Sequence, residues 1–365
     1  MRKTAFAGYL KDQAALHPGM TAQDGVKLCF QAAFGAEHIL ADPAKARASL
    51  LAEFAETPPR EMAVFEPISP EYSRCNLAAW KHLQLPVEWL FQMFLHSATE
   101  NSAAEKRENA ETLFMEYLEV VTACADQGLL PFTSAAWRRY KEEYLAGGVR
   151  PVHHSEEYRL REKPAYRIVK REYEKLLPVL QKLATIREQA TNKQAGPRVV
   201  AIDGRAAAGK TTLATLLSQV LTAEVIPMDD FFLPAELRTA ERLAQSGGNI
   251  HYERFRAEVL PYLRKDESFS YRRFDCRIMD YSGWRLVKDS SWRIVEGSYS
   301  CHPAFGDYMD CRVFCDISPN EQRKRIIKRN GPEMAEAFFT RWIPMEEQYF
   351  KTGRIKEKAD VIIEV

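Results

Sequence analysis

Apolar residues recur every three or four positions through the first half of the chain, and in short unbroken runs through the second. Between Ala22 and Phe34 the apolar positions 26, 29, 30, 33 and 34 line one face of a helix, which Thr21 caps and Gly35 ends. Pro43 begins another, carrying Leu50, Leu51 and Phe54. A proline-rich break (Pro58, Pro59, Pro67, Pro70) separates these from helical stretches at Leu77 to Trp80 and Val87 to Leu95. The spacing predicts a longer helix from Ala103 to Ala125, then one from Thr133 carrying Trp137, Tyr140 and Tyr144 and closed by Gly147 and Gly148. From Lys163 to Lys193 the charges mix along a predicted solvated connector helix. Residues 1–190 thus read as an all-α domain, and the polar stretch 191–197 as a linker.

The period then changes. Val199 to Ile202 is an apolar run fit for a buried strand, and Leu213, Leu216, Leu217, Val220 and Leu221 follow at helical spacing. Strands are predicted again at Ala223 to Met228, Trp292 to Glu296, Cys311 to Asp316 and Ala359 to Val365, with Ser268 to Asp275 extended. Helices fall between them, through Phe255, Val259 and Leu263 and after Ser318-Pro319. Alternating strand and helix predicts an α/β domain over 198–365, a mostly parallel sheet flanked by helices.

Between that first strand and its helix stands Gly204-Arg205-Ala206-Ala207-Ala208-Gly209-Lys210-Thr211-Thr212. Gly-x-x-x-x-Gly-Lys-Thr in a strand–loop–helix setting is a phosphate-binding loop. The glycines let the backbone wrap an anion, the amides point inward, and the helix start adds its positive dipole end. Lys210 is placed to reach the β- and γ-phosphates of a nucleoside triphosphate, and the Thr211 hydroxyl to ligate Mg²⁺. Ligands of open parallel sheets gather at the carboxyl ends of strands, so Asp229 and Glu296, each ending a predicted strand, aim at the same edge. Asp230 suits a helix cap better than chemistry.

Composition narrows the partners. With 51 Lys+Arg against 50 Asp+Glu the chain is nearly neutral, and neither half is basic, which argues against nucleic acid. No apolar run is long enough to span a bilayer and Lys11-Asp12 interrupts any leader, so a cytoplasmic, membrane-free protein is expected. The seven cysteines form no CxxC pair and are expected as reduced, mostly buried thiols. His153-His154 lacks the spacing of a metal site. Phe34 to His38 and Tyr72 to Leu77 concentrate polar residues at element ends, read as capping and packing with a second site as the other reading.

Residues 198–365 resemble the uridine kinase and phosphoribulokinase family of P-loop kinases. The resemblance rests on the Gly204–Thr211 loop, Met228-Asp229-Asp230-Phe231-Phe232, Gly248-Asn249-Ile250, Tyr271, Val295-Glu296-Gly297, Val313 to Asp316, Arg325 with Arg329, and Ala359 to Ile363. It implies ATP- and Mg²⁺-dependent phosphorylation of a hydroxyl on a small molecule: a nucleoside, sugar or related alcohol. By matched position Asp229 is the base, Glu296 and Thr211 share Mg²⁺ with Asp229 nearby, and Arg325 and Arg329 on a lid helix meet the moving phosphoryl group. Tyr271 and His251 fall by the acceptor. Three features depart from the family: His251 stands where uridine kinases carry Asp, Cys276 where they carry a His that reads the base, and the segment from Asn330 to Arg341 is short, with only Arg341 to compensate. The phosphate chemistry is kept while nucleoside recognition is partly missing. In this reading the helical half modulates the enzyme or joins it into a homo-oligomer. The competing readings are a nucleotide-binding switch without small-molecule kinase activity, and an RNA-directed enzyme.

Overall fold

A computed structural model describes residues 2–36, 42–99, 104–189 and 196–365. Glu37, His38 and positions 191–195 of the expected linker lie outside the described residues. The chain forms two compact units, Met1–Glu174 and Lys175–Val365.

The first unit is built mainly of helices: Arg2–Leu16, Ala22–Phe34, Pro43–Glu56, Leu77–His82, Val87–Thr99, Ala104–Asp126, Ser134–Ala146 and Glu156–Glu162. Its core joins Phe6, Val26, Phe30, Phe114, Val121 and Trp137. Gly35 ends the helix Ala22–Phe34 with φ 63°, and a Cβ there would come 2.4 Å from the Tyr72 ring. One departure from the all-α expectation is a three-stranded antiparallel sheet of Phe65–Pro67, Tyr72–Asn76 and Tyr166–Lys170. The stretch read as polar element ends, Tyr72–Asn76, is thus a central strand, and Asn76 Oδ1 caps the next helix by accepting from Ala78 and Ala79 N–H at 2.9 and 3.2 Å. The Lys163–Lys193 connector is likewise no single helix, because Tyr166–Lys170 pairs into this sheet.

The neighbouring histidines diverge: His153 is exposed and His154 buried. His154 Nδ1 lies 2.9 Å from Asp24 Oδ1 and Nε2 lies 2.6 Å from the Tyr166 hydroxyl. Burial, assisted by the charges of Lys27 and Arg74, lowers the imidazole to about 4 despite Asp24. Burial opposes the Asp24 charge, but bonds from His154 and Ser155 outweigh it and bring the carboxyl to about 2. The imidazole is therefore neutral, with Nδ1–H donating to Asp24 and Nε2 accepting from Tyr166. No cluster of His, Cys, Asp and Glu fit for a metal occurs among the described residues.

In the second unit, α1 (Leu177–Gln189) buries Val179, Leu180 and Leu183. The sheet strands are β1 (Arg198–Gly204), β2 (Glu224–Pro227), β5 (Trp292–Glu296), β6 (Cys311–Asp316) and β7 (Val361–Glu364), with α2 (Lys210–Leu221) following β1. The order across the sheet is β7-β6-β1-β5-β2, every pairing parallel. Both faces are covered, which is why Val199, Val200, Ala201 and Ile202 are all fully buried and read as one apolar run. The helix α1 packs on β6 and β7, so its apolar stripe belongs with this sheet rather than with the helices before it. A two-stranded antiparallel hairpin, β3 (Phe269–Asp275) and β4 (Asp280–Val287), stands apart from the main sheet. Helix α3 (Tyr252–Glu258) precedes the hairpin; α4 (Pro319–Ala337) bends at Gly331, where φ is 78°, and α5 (Ile343–Gly353) follows. Cys29, Cys75, Cys124, Cys311 and Cys315 are buried free thiols, while Cys276 is exposed. Among the described residues no helix is long and apolar enough to cross a membrane.

The buried imidazole makes the first unit sensitive to acid. Unfolded His154 takes a proton near 6.5 and folded His154 only near 4, so stability falls as pH drops through that window, by roughly 3 kcal/mol in all. Asp24 adds a further loss below 3.8. Thermal melts of the full chain from pH 7 to pH 4 are expected to fall more steeply for the wild type than for His154→Gln; parallel profiles would refute the neutral assignment.

Candidate active site

Three strands deliver the site. The loop Gly204–Gly209 leaves β1, the 3₁₀ turn Met228–Phe231 leaves β2, and Glu296 ends β5, all at the carboxyl edge of the sheet. They open on a cavity of about 750 Å³. The loop's path is set by its left-handed residues: Gly204 at φ 132°, Ala207 at 60° and Gly209 at 82°. At Gly204 a Cβ would lie 2.1 Å from the Cys315 carbonyl oxygen, so only glycine fits. These turns curl the loop into a nest continued by the start of α2, although the amides of Arg205, Ala206 and Ala208 donate to the Cys315 carbonyl, the Glu346 carboxylate and the Arg205 carbonyl.

Of the nine loop positions expected to bind nucleotide, Ala206, Ala207, Gly209, Lys210, Thr211 and Thr212 line the cavity. Gly204 instead turns against β6, and Ala208 is buried. Arg205 is paired with Asp316 at 2.7 Å through Nε and with Glu347 through Nη1, which fixes the loop's outer side. Lys210 Nζ donates to the Gly204 and Arg205 carbonyls at 2.7 and 2.9 Å, curled over the nest.

Asp229 and Glu296 both line this cavity. The Thr211 hydroxyl sits 3.4 and 3.3 Å from Glu296 Oε1 and Oε2. Burial raises the Glu296 carboxyl, the negative charge of Asp229 raises it further, and Lys210 and Thr211 oppose both. Asp229 still reaches water in the cavity, yet the walls around it remove enough solvent to raise its carboxyl above the ordinary range, against the pull of Lys210 and Arg329. Arg325 and Arg329, one turn apart on α4, line the same space. Arg325 Nε donates to Glu321 at 3.1 Å, and Arg329 lies 5.4 Å from the Phe338 ring centre. Arg341 stacks on Trp342.

Two expected acceptor residues stand elsewhere. Tyr271 is fully buried in the core against Phe231, and its hydroxyl donates to Asp230 Oδ2 at 2.8 Å. His251 caps the helix Tyr252–Glu258, its Nδ1 3.4 Å from Arg254 N and 3.2 Å from Glu253 Oε2. Neither lines the cavity. Asp230 is no helix cap either: it takes Tyr271 and, at 2.9 Å, Arg285, which binds the hairpin β3–β4 to the end of β2. Adjacent acids on a turn point opposite ways, one into the cavity and one into the hairpin.

The sequence reading overlooked several groups on the cavity wall: Arg238, Ser298, Trp342 and Glu346, and it used Asn249 only as a landmark. Glu346, on α5, accepts from Ala206 N–H at 3.0 Å and from the Ser298 hydroxyl at 2.7 Å. On an amphipathic helix it reads like any surface acid; its burial is decided by what packs over it.

No protein-family model and no curated protein sequence matches the chain. Among solved structures it is similar to a possible uridine kinase from Bacillus stearothermophilus, at 22% identity over 50% of this chain and 96% of that one, with a TM-score of 0.38. It is also similar to a D-glycerate 3-kinase from Cryptococcus neoformans var. grubii serotype A, at 16% identity over 53% of this chain and 94% of that one, with a TM-score of 0.38.

The coupling between the two acids has a measurable sign. In Asp229→Asn the neighbouring negative charge is gone, so the Glu296 carboxyl titrates at lower pH than in the wild type. Carbon-13 carboxyl NMR read against pH reports it, and an unchanged or higher Glu296 midpoint contradicts the arrangement.

Proposed function

We propose that this protein transfers the γ-phosphoryl group of ATP, with Mg²⁺, to a hydroxyl of a small molecule. The observation that carries the reading is the meeting of the phosphate-binding loop, Asp229, Glu296, Arg325 and Arg329 in one cavity. A nest of amides with a lysine suits a triphosphate tail. Thr211 and Glu296 offer hard oxygen donors within 3.4 Å of each other, and Asp229 is the other acid there, a donor set that fits Mg²⁺ held by few protein ligands alongside phosphate oxygens. When bound, that ion neutralises phosphate charge and orients the triphosphate.

The protein's own groups do the rest. Asp229 accepts a hydrogen bond from the acceptor hydroxyl and takes its proton as the oxygen–phosphorus bond forms. The bond from the γ-phosphorus to the bridging oxygen breaks, and ADP leaves with that electron pair. Lys210, Arg325 and Arg329 supply positive charge where negative charge spreads over the moving group. Burial raises the Asp229 carboxyl toward the operating pH of a general base, against the pull of Lys210 and Arg329.

Asp229→Asn is expected to lower acceptor-dependent ADP release by roughly 10²–10⁴-fold while leaving ATP affinity within a few fold. A panel of nucleosides, sugars and related alcohols with ATP and Mg²⁺, read by the mass of the product, supplies the assay. Release of ADP that ignores every acceptor would favour a nucleotide switch, and full turnover by Asp229→Asn would remove the base assignment.

A further inference from the structure

Asp229 and Glu296 have roles in phosphoryl transfer, but a third carboxylate reaches the same cavity and has none. Glu346 stands in the first turn of α5, 8% exposed, on the cavity wall. Its Oε2 accepts from the Ala206 N–H at 3.0 Å and its Oε1 from the Ser298 hydroxyl at 2.7 Å. Its neighbour Glu347 pairs instead with Arg205, on the outer side of the loop. Burial raises the Glu346 carboxyl, and the charge of Lys210, ahead of the two hydrogen bonds, pulls it back. An acid held by a loop amide and by the field of the loop lysine makes the contacts that such a loop offers a phosphate oxygen.

The other donors of the loop are turned inward as well. Lys210 Nζ donates to the Gly204 and Arg205 carbonyls at 2.7 and 2.9 Å, and the Ala208 N–H donates to the Arg205 carbonyl at 3.2 Å. A phosphate chain that enters must exchange these bonds, and Glu346 is the one partner that also repels it. Two anions sharing one amide and one lysine face each other across a few ångströms, where like charges cost most. Letting go strands little. The Ser298 hydroxyl has a second acceptor 3.4 Å away in the Gly204 carbonyl, the phosphate takes the Ala206 N–H, and the freed carboxylate borders the cavity.

We propose that Glu346 is an internal anion of the phosphate-binding loop, which competes with the triphosphate for the Ala206 N–H and for Lys210 and so sets how tightly the loop holds a phosphate chain. The inference rests on the kinase reading and adds a residue to it. ADP carries the same kind of chain, so the carboxylate weakens product as well as substrate and returns to the amide as ADP leaves. A plain brace acts with the opposite sign: cutting it loosens the loop and weakens binding.

The test uses the full chain with Mg²⁺. Calorimetric titration with a non-hydrolysable ATP analogue and with tripolyphosphate is expected to show both bound about tenfold more tightly by Glu346→Gln, which keeps the size of the side chain and an acceptor for Ala206 but drops the charge. ADP is expected to gain by a similar factor, and adenosine, which lacks the chain, to gain nothing. Thermal melts report whether the variant is folded, and a measurement on the wild type decides the matter where it is not. There the amide resonance of Ala206 is expected to move on addition of tripolyphosphate and to stay in place on addition of adenosine. Unchanged or weakened binding of the chain by folded Glu346→Gln, or an Ala206 resonance indifferent to tripolyphosphate, overturns this inference and leaves the kinase reading standing. Failure of the ATP analogue to bind the wild type sinks both.

Discussion

Two carboxylates and one lysine share one cleft, and the structure around them is arranged to keep them there. Burial raises the Glu296 carboxyl, and the like charge of Asp229 raises it further. Like charges at close quarters are tolerated where cations offset them, here Lys210 and Arg329.

That cleft depends on a second layer of buried polar contacts. Asp203, the last side chain before the loop, is fully buried and accepts from the backbone N–H of Gly204, Tyr299 and Cys301 and, at 2.7 Å, from the Tyr349 hydroxyl. It ties β1, the segment after β5 and helix α5 together beneath the loop. Above it, α5 grips the loop itself through Glu346 on Ala206 and Glu347 on Arg205. Gln322 of α4 donates to the Ala206 carbonyl at 3.0 Å. Each hydrogen bond contributes about 1 kcal/mol, but their combined effect is positional, because together they hold the loop in one conformation against α4 and α5.

The first unit, taken by itself, makes a similar use of buried polarity. Arg74 lies in its central strand, 4% exposed, donating to Gln13 and Gln31 at 2.8 and 3.1 Å and stacked 4.5 Å from the Tyr166 ring centre. The neutral His154 between Asp24 and Tyr166 extends that network to the start of the helix Ala22–Phe34. Such a network fixes one packing of helix on strand where apolar contacts alone would permit several.

Local rules determined much of this. Runs of buried apolar residues are strands because a parallel sheet covered on both faces asks nothing else of them, and β1, β5 and β6 were legible for that reason. The loop was legible because glycine positions answer to backbone sterics within a few residues. Asp229 and Glu296 were legible because strand ends in such a sheet converge on one edge. Tertiary structure decided the rest. Whether Tyr271 meets a ligand or Asp230, whether His251 faces the cavity or caps a helix, and whether Glu346 is a surface acid or a brace depend on which distant element packs alongside. The strand Tyr166–Lys170 was hidden for the same reason: its charged residues read as helix, and only pairing with Tyr72–Asn76 makes them a sheet. Sequence periodicity reports which face of an element is buried, but not what buries it, and side-chain roles are set by that partner.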